Sequence, residues 1–141
     1  MIGNSFDETI ENYKIFIKEL YLNYNNVIEN LDDDKKERWE NYRKGNINEF
    51  ELIGSIRFLY CCLKKSLNQK IILLIDNYDL PILNEFNTKF YDKFYSIYKS
   101  VLMKVFSYDR NHYLFKTFIS GKFHISFFGR VSFKLLLCRK Q

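Results

Sequence analysis

The chain has 141 residues, a length that suits one domain or part of one and that can bury a hydrophobic core. Because 47% of the residues are hydrophobic and 18% are aromatic, the apolar surface is large enough to offset the ordering entropy, which excludes intrinsic disorder. The net charge is +5, and acidic and basic residues are mixed through most of the chain, as on an ordinary solvated surface. The start of the chain turns polar before an apolar run forms, and no stretch approaches the roughly 20 apolar residues of a membrane helix. We therefore expect an intracellular, cytoplasmic protein without membrane contact.

The cysteine and histidine residues follow neither the spacing of a metal site nor that of a disulfide framework. Cys61 and Cys62 are adjacent and Cys138 stands alone, and an odd count without framework spacing indicates a reducing compartment. Two neighbouring cysteines on a helix point about 100° apart, which makes them poor joint ligands. His112 and His124 are scattered and do not complete the set of ligands that zinc requires. We expect Cys61 and Cys62 to fill space in the core.

Residues 5–68 are predicted to be a helical segment. Ser5 followed by Glu8 fits a capping box, in which the two side chains accept hydrogen bonds from backbone amides of the first helical turn. Apolar residues then recur every three or four positions, which places them on one helical face. The members of this stripe are Ile10, Tyr13, Ile17, Leu20, Tyr24, Val27 and Leu31.

Two further helices are predicted in the same segment. The three aspartates at 32–34 suit a helix N-terminus, where the positive end of the dipole favours carboxylates. This second helix should run to about Arg43, and Gly45 suits its C-terminal stop. A third helix is predicted to begin near Asn48. Its apolar face consists of Leu52, Ile56, Leu59, Leu63 and Leu67.

A βαβ unit is predicted for residues 71–121. Residues 71–75 form a continuous apolar run that is too short for a helix, which indicates a strand buried on both faces, and Asp76 ends it. Residues 77–81 are predicted to be a loop, because Pro81 disfavours helix at the residue before it.

A helix and a second strand complete this unit. The helix is predicted from Thr88 to Phe106, and residues 113–119 are predicted to form a second buried strand that ends at Ser120 and Gly121. Strands joined by a helical crossover should lie parallel to each other, with a right-handed connection. The apolar side of the helix consists of Phe90, Phe94, Ile97, Val101 and Val105.

The acidic end of the first predicted strand is the part that indicates chemistry. Four apolar residues followed by an acid, Ile-Leu-Leu-Ile-Asp at residues 72–76, fit the Walker B pattern. Such a strand delivers its terminal aspartate to the crevice at the carboxyl edge of the sheet, where a carboxylate can hold Mg²⁺ beside a triphosphate. On these residues alone, the alternative stays open that Asp76 only caps a loop, as aspartates do at many strand ends.

Two stretches of the sequence resemble one known family. Residues 71–82, Ile-Ile-Leu-Leu-Ile-Asp-Asn-Tyr-Asp-Leu-Pro-Ile, are similar to a pattern of apolar strand followed by Ile-Asp-Glu-Tyr-Asp-x-Pro-Leu, and residues 113–121 are similar to an aromatic strand ending in Thr-Gly. Both patterns belong to the AAA-ATPase-like domain of large proteins that often end in a PD-(D/E)XK nuclease-type domain. The resemblance covers about residues 6–126. It implies a partial AAA-ATPase-like domain at 1–126, with a parallel P-loop NTPase-type sheet and Mg-ATP as the family's cofactor.

Residue roles carry over by position from this resemblance. Asp76 is implied to be the Walker B acid on the Mg²⁺ side, and Ser120 to be a polar residue that can face the γ-phosphate. Asp79 and Pro81 match the family, and Asp79 is implied to shape the loop and to offer a second polar contact. Asn77 stands where the family has glutamate, and because an amide cannot accept a proton as a carboxylate does, water activation is not expected. We therefore assign Asp76, Asn77, Asp79 and Ser120 to cofactor binding, Asp76 alone to the metal, and no residue to catalysis.

The phosphate-binding loop is the largest departure from the family pattern. A Walker A loop needs Gly-x-x-x-x-Gly-Lys-Ser/Thr, whose amides and lysine cradle the phosphates, and none of the five glycines begins such a run. In the family this loop precedes the long helices, so it would lie before Met1. We expect a fragment, a decayed gene copy or a chain altered near its end, and we expect this chain alone neither to bind Mg-ATP tightly nor to hydrolyse it.

The last part of the chain, residues 127–141, is expected to be a divergent basic tail. From residue 122 onward there is no acidic residue, and the basic ones are Lys122, Arg130, Lys134, Arg139 and Lys140. A basic, aromatic-rich end can bind nucleic acid by charge and stacking, or the bias is incidental. His124 stands where the family often has a basic residue after Thr-Gly, and residues 131–137 allow a third strand.

The expected fold class is α/β, with N-terminal helices followed by an incomplete parallel sheet. Three functions stay open. We favour a non-hydrolysing remnant of an ATPase domain, and the alternatives are an interaction module that pairs with itself or with a fuller paralogue, and a nucleic-acid binder. Because a sheet of two or three strands leaves an apolar edge open, we also expect self-association.

Overall fold

The computed structural model describes residues 4–106 and 113–122, and for residues 132–138 the pairing of the backbone. The helices are α1 (Phe6–Leu22), α2 (Asp33–Lys44), α3 (Glu49–Leu67), α4 (Leu80–Glu85) and α5 (Tyr91–Phe106), with a 3₁₀ helix at Asn25–Asn30. The strands are β1 (Lys70–Asp76), β2 (Leu114–Ile119) and β3 (Ser132–Cys138). The predicted α/β class is confirmed, and the fold is mostly helical. None of the helices in the described ranges is long and apolar enough to cross a membrane.

Side-chain caps begin the first and third helices. The Ser5 hydroxyl accepts a hydrogen bond from the Glu8 amide at 3.2 Å, as the capping box predicted, but Glu8 reaches back to the amide of Asn4 at 2.7 Å instead of that of Ser5. A complete capping box joins Asn48 and Glu51 at the start of α3. Reciprocal capping of this kind satisfies two amides that have no partner within the helix.

The apolar stripe predicted to continue to Leu31 as one helix does not do so. Helix α1 ends at Leu22, and the chain turns into the 3₁₀ helix, in which Val27 is buried. Asp32 then caps α2 as expected, and Gly45, with a φ of 80°, ends it in the left-handed conformation that glycine adopts without strain. The apolar spacing continues across the break because an α-helix and a 3₁₀ helix both place every third or fourth residue on the same side.

The core of the helical segment is rich in aromatic rings. Tyr21 lies edge-on to Trp39 and stacks on Tyr42, with ring centroids 4.7 Å apart in both pairs. The Tyr21 hydroxyl donates to the carbonyl of Ser55 at 2.7 Å, so this buried polar group has a partner. Cys62 is 1% exposed and fills space beside this core, as predicted, and burial raises the pKa of its thiol to about 12.

The three strands form one sheet in the order β2-β1-β3. Strands β1 and β2 are parallel, as predicted, with Ile71 opposite Leu114 and Ile75 opposite Ile119. Strand β3 pairs with β1 in the antiparallel direction, so the sheet is mixed and the expectation of a wholly parallel sheet is wrong. An antiparallel neighbour needs no crossover helix, which is why spacing between apolar runs did not indicate it.

Strand β1 is fully buried on one face only, and the prediction of burial on both faces is wrong. Ile71, Leu73 and Ile75 are 2% exposed or less, whereas Ile72 and Leu74 are partly exposed. The second strand is not buried either. In β2 the exposed large side chains are Phe115 at 49%, Phe118 at 55% and Ile119 at 50%. An apolar run therefore indicated the strands correctly but overstated how much of each strand the helices cover.

The segment after β1 contains a helix where the sequence predicted a loop. Pro81 lies in the first turn of α4, where the missing amide costs no hydrogen bond. Helix α5 begins at Tyr91, not at Thr88. The loop between β1 and α4 is consequently short and is held close to the end of the sheet.

Candidate functional site

The carboxyl ends of β1 and β2 lie side by side because the two strands are parallel. The amide of Ser120 donates to the carbonyl of Ile75 at 2.8 Å, and the amide of Tyr78 donates to the carbonyl of Ser120 at 3.0 Å. These bonds extend the strand pairing past the end of both strands. The residues predicted from the sequence, Asp76, Asn77, Asp79 and Ser120, are thereby brought to one edge of the sheet, which we call the strand-end site.

Asp76 is the exposed acid of this site. Its Oδ1 accepts hydrogen bonds from the Asn77 amide at 2.9 Å and from the Ser120 hydroxyl. None of the described residues donates a hydrogen bond to the other oxygen, Oδ2. The carboxylate of this exposed residue is thus oriented through one oxygen, at the end of the central strand of the sheet.

Asn77 has a φ of 51°, in the left-handed region. Asparagine tolerates this region better than most residues because its short side chain bonds locally. A glutamate, which the family has in this position, would carry a strained backbone here. The resemblance alone did not show that this position has an unusual backbone conformation.

Asp79 differs from Asp76 in its surroundings. Its side chain is 1% exposed, and Oδ2 accepts a hydrogen bond from the Lys122 amide at 2.8 Å. The carboxylate therefore ties the loop after β1 to the segment after β2. The loop-shaping role predicted for Asp79 agrees with these contacts, and its contact with a cofactor stays a prediction.

Two buried polar residues were not singled out from the sequence, and the first of them contacts the loop of the site. The Tyr98 hydroxyl, from α5, donates to the carbonyl of Tyr78 at 3.2 Å, and burial raises the pKa of Tyr98 well above its ordinary value, so it remains a donor. Tyr98 follows the buried Phe94 by four residues, a spacing that indicates the same helical face. Glu85, at the end of α4, is 1% exposed, and burial raises its pKa, an effect that the Thr9 side chain partly opposes.

The described residues hold no preformed metal centre. Across residues 4–106 and 113–122, no group of three or more His, Cys, Asp or Glu side chains is placed to hold an ion. A magnesium ion at Asp76 would take its remaining ligands from water and phosphate, as that ion commonly does. Several residues that the sequence named for a possible role lie outside the described residues. They are His112, His124, Arg130, Arg139 and Lys140.

Fold and site together define an α/β domain with a candidate ligand-binding edge, formed where two parallel strands end. The sequence profile of a family described as predicted AAA-ATPase matches residues 4–129. The chain therefore belongs to this AAA-ATPase-like family, which confirms the resemblance drawn from residues 71–82 and 113–121. No curated protein and no solved structure gives a significant match.

Proposed function

We propose that the chain is a non-hydrolysing AAA-ATPase-like domain that keeps the cation-binding half of a nucleotide site. The observation that supports this is the Asp76 carboxylate, which the Ser120 hydroxyl and the Asn77 amide orient through one oxygen. Asp76 is exposed, and no hydrogen bond from the described residues occupies its other oxygen, which leaves that oxygen available to a water ligand of Mg²⁺. A hydrated divalent cation held in this way is the expected ligand of the site.

Hydrolysis is not expected for two reasons. Asn77 cannot accept a proton from an attacking water, as a carboxylate in this position would. Moreover, no Gly-x-x-x-x-Gly-Lys-Ser/Thr run occurs among the 141 residues, so the triphosphate charge lacks the amides and the lysine that would compensate it. Weak cation binding without tight Mg-ATP binding is the combination that we propose.

Cation binding can be tested with Mn²⁺, whose unpaired electrons broaden the NMR signals of nearby amides. We expect broadening at Ser120 and Asn77 in the unaltered chain and its loss in Asp76→Ala. Asp92→Ala serves as the control, because Asp92 is an exposed aspartate in the first turn of α5. Equal broadening in the unaltered chain and in Asp76→Ala would place the cation elsewhere and contradict the proposal.

Hydrolysis and nucleotide affinity are tested separately. Phosphate release from Mg-ATP is expected to be at background for the unaltered chain. Turnover that disappears in Asp76→Ala would show that the chain is an active ATPase. Titration calorimetry with Mg-ATP is expected to give an affinity weaker than about 1 μM, and a tighter value would reveal a phosphate site outside the strand ends.

A second candidate function, pairing with another copy of this chain, is favoured by β2. This strand is at the margin of the sheet, and among the described residues no strand pairs with its outer edge. Phe118 is 55% exposed on it. Open apolar edges pair with other chains, so we expect oligomers whose population increases with concentration.

Light scattering after size-exclusion chromatography can test this pairing. We expect Phe118→Thr, which keeps a strand-favouring residue, to shift the chain toward monomer. Phe50→Gln is the control, since Phe50 is 79% exposed on helix α3 and not on the sheet edge. A monodisperse monomer for the unaltered chain, or equal shifts in the two variants, would exclude pairing through β2.

A further inference from the structure

Gly121 lies so close to the ring of Tyr78 that a side chain does not fit. A Cβ atom on Gly121 would be 2.6 Å from both Cδ1 and Cε1 of Tyr78 and 3.0 Å from Oδ1 of Asp79. Distances below 3.0 Å between such atoms require the ring or the backbone to move. The backbone of Gly121 is not in the left-handed region, where glycine would be needed for its conformation. Close approach to Tyr78 and Asp79 is therefore what requires glycine here.

Hydrogen bonds on both sides of Gly121 stabilise its contact with Tyr78 and Asp79. Asp79 Oδ2 accepts from the Lys122 amide at 2.8 Å, and the Tyr78 amide donates to the Ser120 carbonyl at 3.0 Å. On the helical side, the Tyr98 hydroxyl donates to the Tyr78 carbonyl at 3.2 Å. The loop after β1 is thus bound to the residues on both sides of Gly121 and to helix α5.

Ser120 lies directly beside these contacts. It follows an edge strand whose large side chains are about half exposed, and burial of β2 therefore does little to fix the end of that strand. Its hydroxyl must still point at Asp76 for the observed hydrogen bond. Of the two acids of the strand-end site, Asp79 is the buried one, and its carboxylate accepts a hydrogen bond from the backbone amide of Lys122, two residues beyond Ser120.

We propose that Tyr78, Asp79 and Gly121 form a lock that holds the Ser120 hydroxyl against Asp76. Asp79 is then a positioning residue that acts through the Lys122 amide. The consequence of the lock for cation binding rests on the proposed function, whereas the lock itself is a property of the chain and is testable without a ligand. Each is therefore measured with its own readout.

The first measurement is hydrogen exchange at the Lys122 amide, compared with global unfolding. We expect Asp79→Ala and Gly121→Ala each to speed this exchange by about tenfold, the ratio that corresponds to losing a hydrogen bond to a charged acceptor. Asp79→Asn, which keeps an oxygen acceptor, should recover part of the protection. The matched control is Gly54→Ala, where the new Cβ would meet only Arg38 Nη2 at 3.4 Å and Tyr42 Oη at 3.9 Å.

A double-mutant cycle separates the lock from general loss of stability. Removing the ring in Tyr78→Ala gives the Cβ at position 121 room, so Gly121→Ala should change Lys122 exchange less in that background than in the unaltered chain. Equal effects in the two backgrounds, or unaltered Lys122 exchange in both Asp79→Ala and Gly121→Ala, would overturn the lock. Neither outcome depends on whether a cation binds.

The second measurement is Mn²⁺ titration of the same variants, followed by the broadening at Ser120. With the lock and the cation site both present, Asp79→Ala and Gly121→Ala should weaken Mn²⁺ binding by about tenfold, as is typical when a residue that orients a ligand is changed. Asp79→Asn should weaken it less, and Gly54→Ala should leave it unaltered. If the unaltered chain binds no Mn²⁺, the proposed function fails and the exchange data alone decide on the lock. If Mn²⁺ binds equally to all variants, the lock does not position the site, and the proposal is wrong.

Discussion

The helical segment (residues 5–68) and the sheet edge formed by β2 are stabilised in different ways. In the helical segment, α1, α2 and α3 enclose a continuous core in which Trp39, Tyr21 and Tyr42 are fully buried. At the sheet edge, β2 exposes about half of Phe115 and Phe118, and what holds it is the backbone pairing with β1 together with the hydrogen bonds beyond the strand ends. The first region is stabilised mainly by apolar packing and the second mainly by hydrogen bonds.

This difference explains where a binding function can reside. Moving any part of a close-packed aromatic core costs free energy. Such a core is suited to hold the fold rigid and not to exchange ligands. The strand ends combine an exposed carboxylate, a hydroxyl and a short loop held by specific contacts. Functional groups on a rigid scaffold are commonly arranged in this way. Substitutions that are expected to have unequal effects in the two regions therefore test this comparison.

The largest expected difference is between neighbouring leucines on the two faces of β1. Leu73 is fully buried on the helical side and Leu74 is partly exposed on the other side. We expect Leu73→Ala to lower the free energy of unfolding by about 2–5 kcal/mol, because it leaves a cavity in the core. Leu74→Ala should cost less than half as much. Urea unfolding followed by Trp39 fluorescence and circular dichroism measures both. Similar losses would mean that both faces are covered, as the sequence first suggested.

The next effect concerns Glu85, a buried carboxyl where α4 meets Thr9 of α1. Burial raises its pKa above the ordinary 4.5, so the folded state binds the proton more tightly than the unfolded state does. The ionised form therefore destabilises the fold as pH rises above about 4.5 and through the raised pKa, and this cost is absent at lower pH. Glu85→Gln should stabilise the chain at pH 7 and change its stability little below pH 4.

Unfolding curves at several pH values check the Glu85 prediction. Glu37→Gln is the matched control, since Glu37 is exposed in α2 and its substitution should change stability little at any pH. A Glu85→Gln variant that is less stable at pH 7 would show that the charge is compensated at the junction. In that case the junction of α4 and α1 would be stabilised by polar contacts, as the strand ends are.

The sequence predicted most of the elements because their signals are local. The caps at Ser5 and Asp32, the stop at Gly45 and the run at 71–75 all depend on neighbouring residues. The errors concern what packs against an element. Whether the outer face of β1 is covered, and whether β2 is an edge, depends on which distant segments return to the sheet. Apolar composition does not contain that information.

The candidate site was predicted in part for the same reason. Position in a family pattern identified Asp76, Asn77, Asp79 and Ser120, and the structure brings these residues to one edge. It did not distinguish an exposed aspartate from a buried one three residues later, because their difference arises from the segment after β2. The contribution of Tyr98 was missed since its hydroxyl reaches a backbone carbonyl 20 residues away in the chain.

The smallest expected effect compares two asparagines with left-handed backbones, one in each region. Asn68 ends α3 with a φ of 47°, and Asn77 follows β1 with a φ of 51°. Replacing either by glutamate should cost about 1 kcal/mol, since glutamate lacks the short amide side chain with which asparagine bonds to the local backbone in this conformation. Replacing either by glycine should change stability by a few tenths of a kcal/mol. Thermal unfolding of the four variants tests this. The two glutamate variants should differ only in their effect on Mn²⁺ binding. Asn77→Glu adds a carboxylate beside Asp76 and should alter this binding, whereas Asn68→Glu should leave it unchanged. If Asn77→Glu instead keeps full stability and Asn68→Glu loses it, the loop after β1 relaxes freely. The family's glutamate would then be accommodated there without strain, and the backbone would not be the reason that asparagine occupies this position.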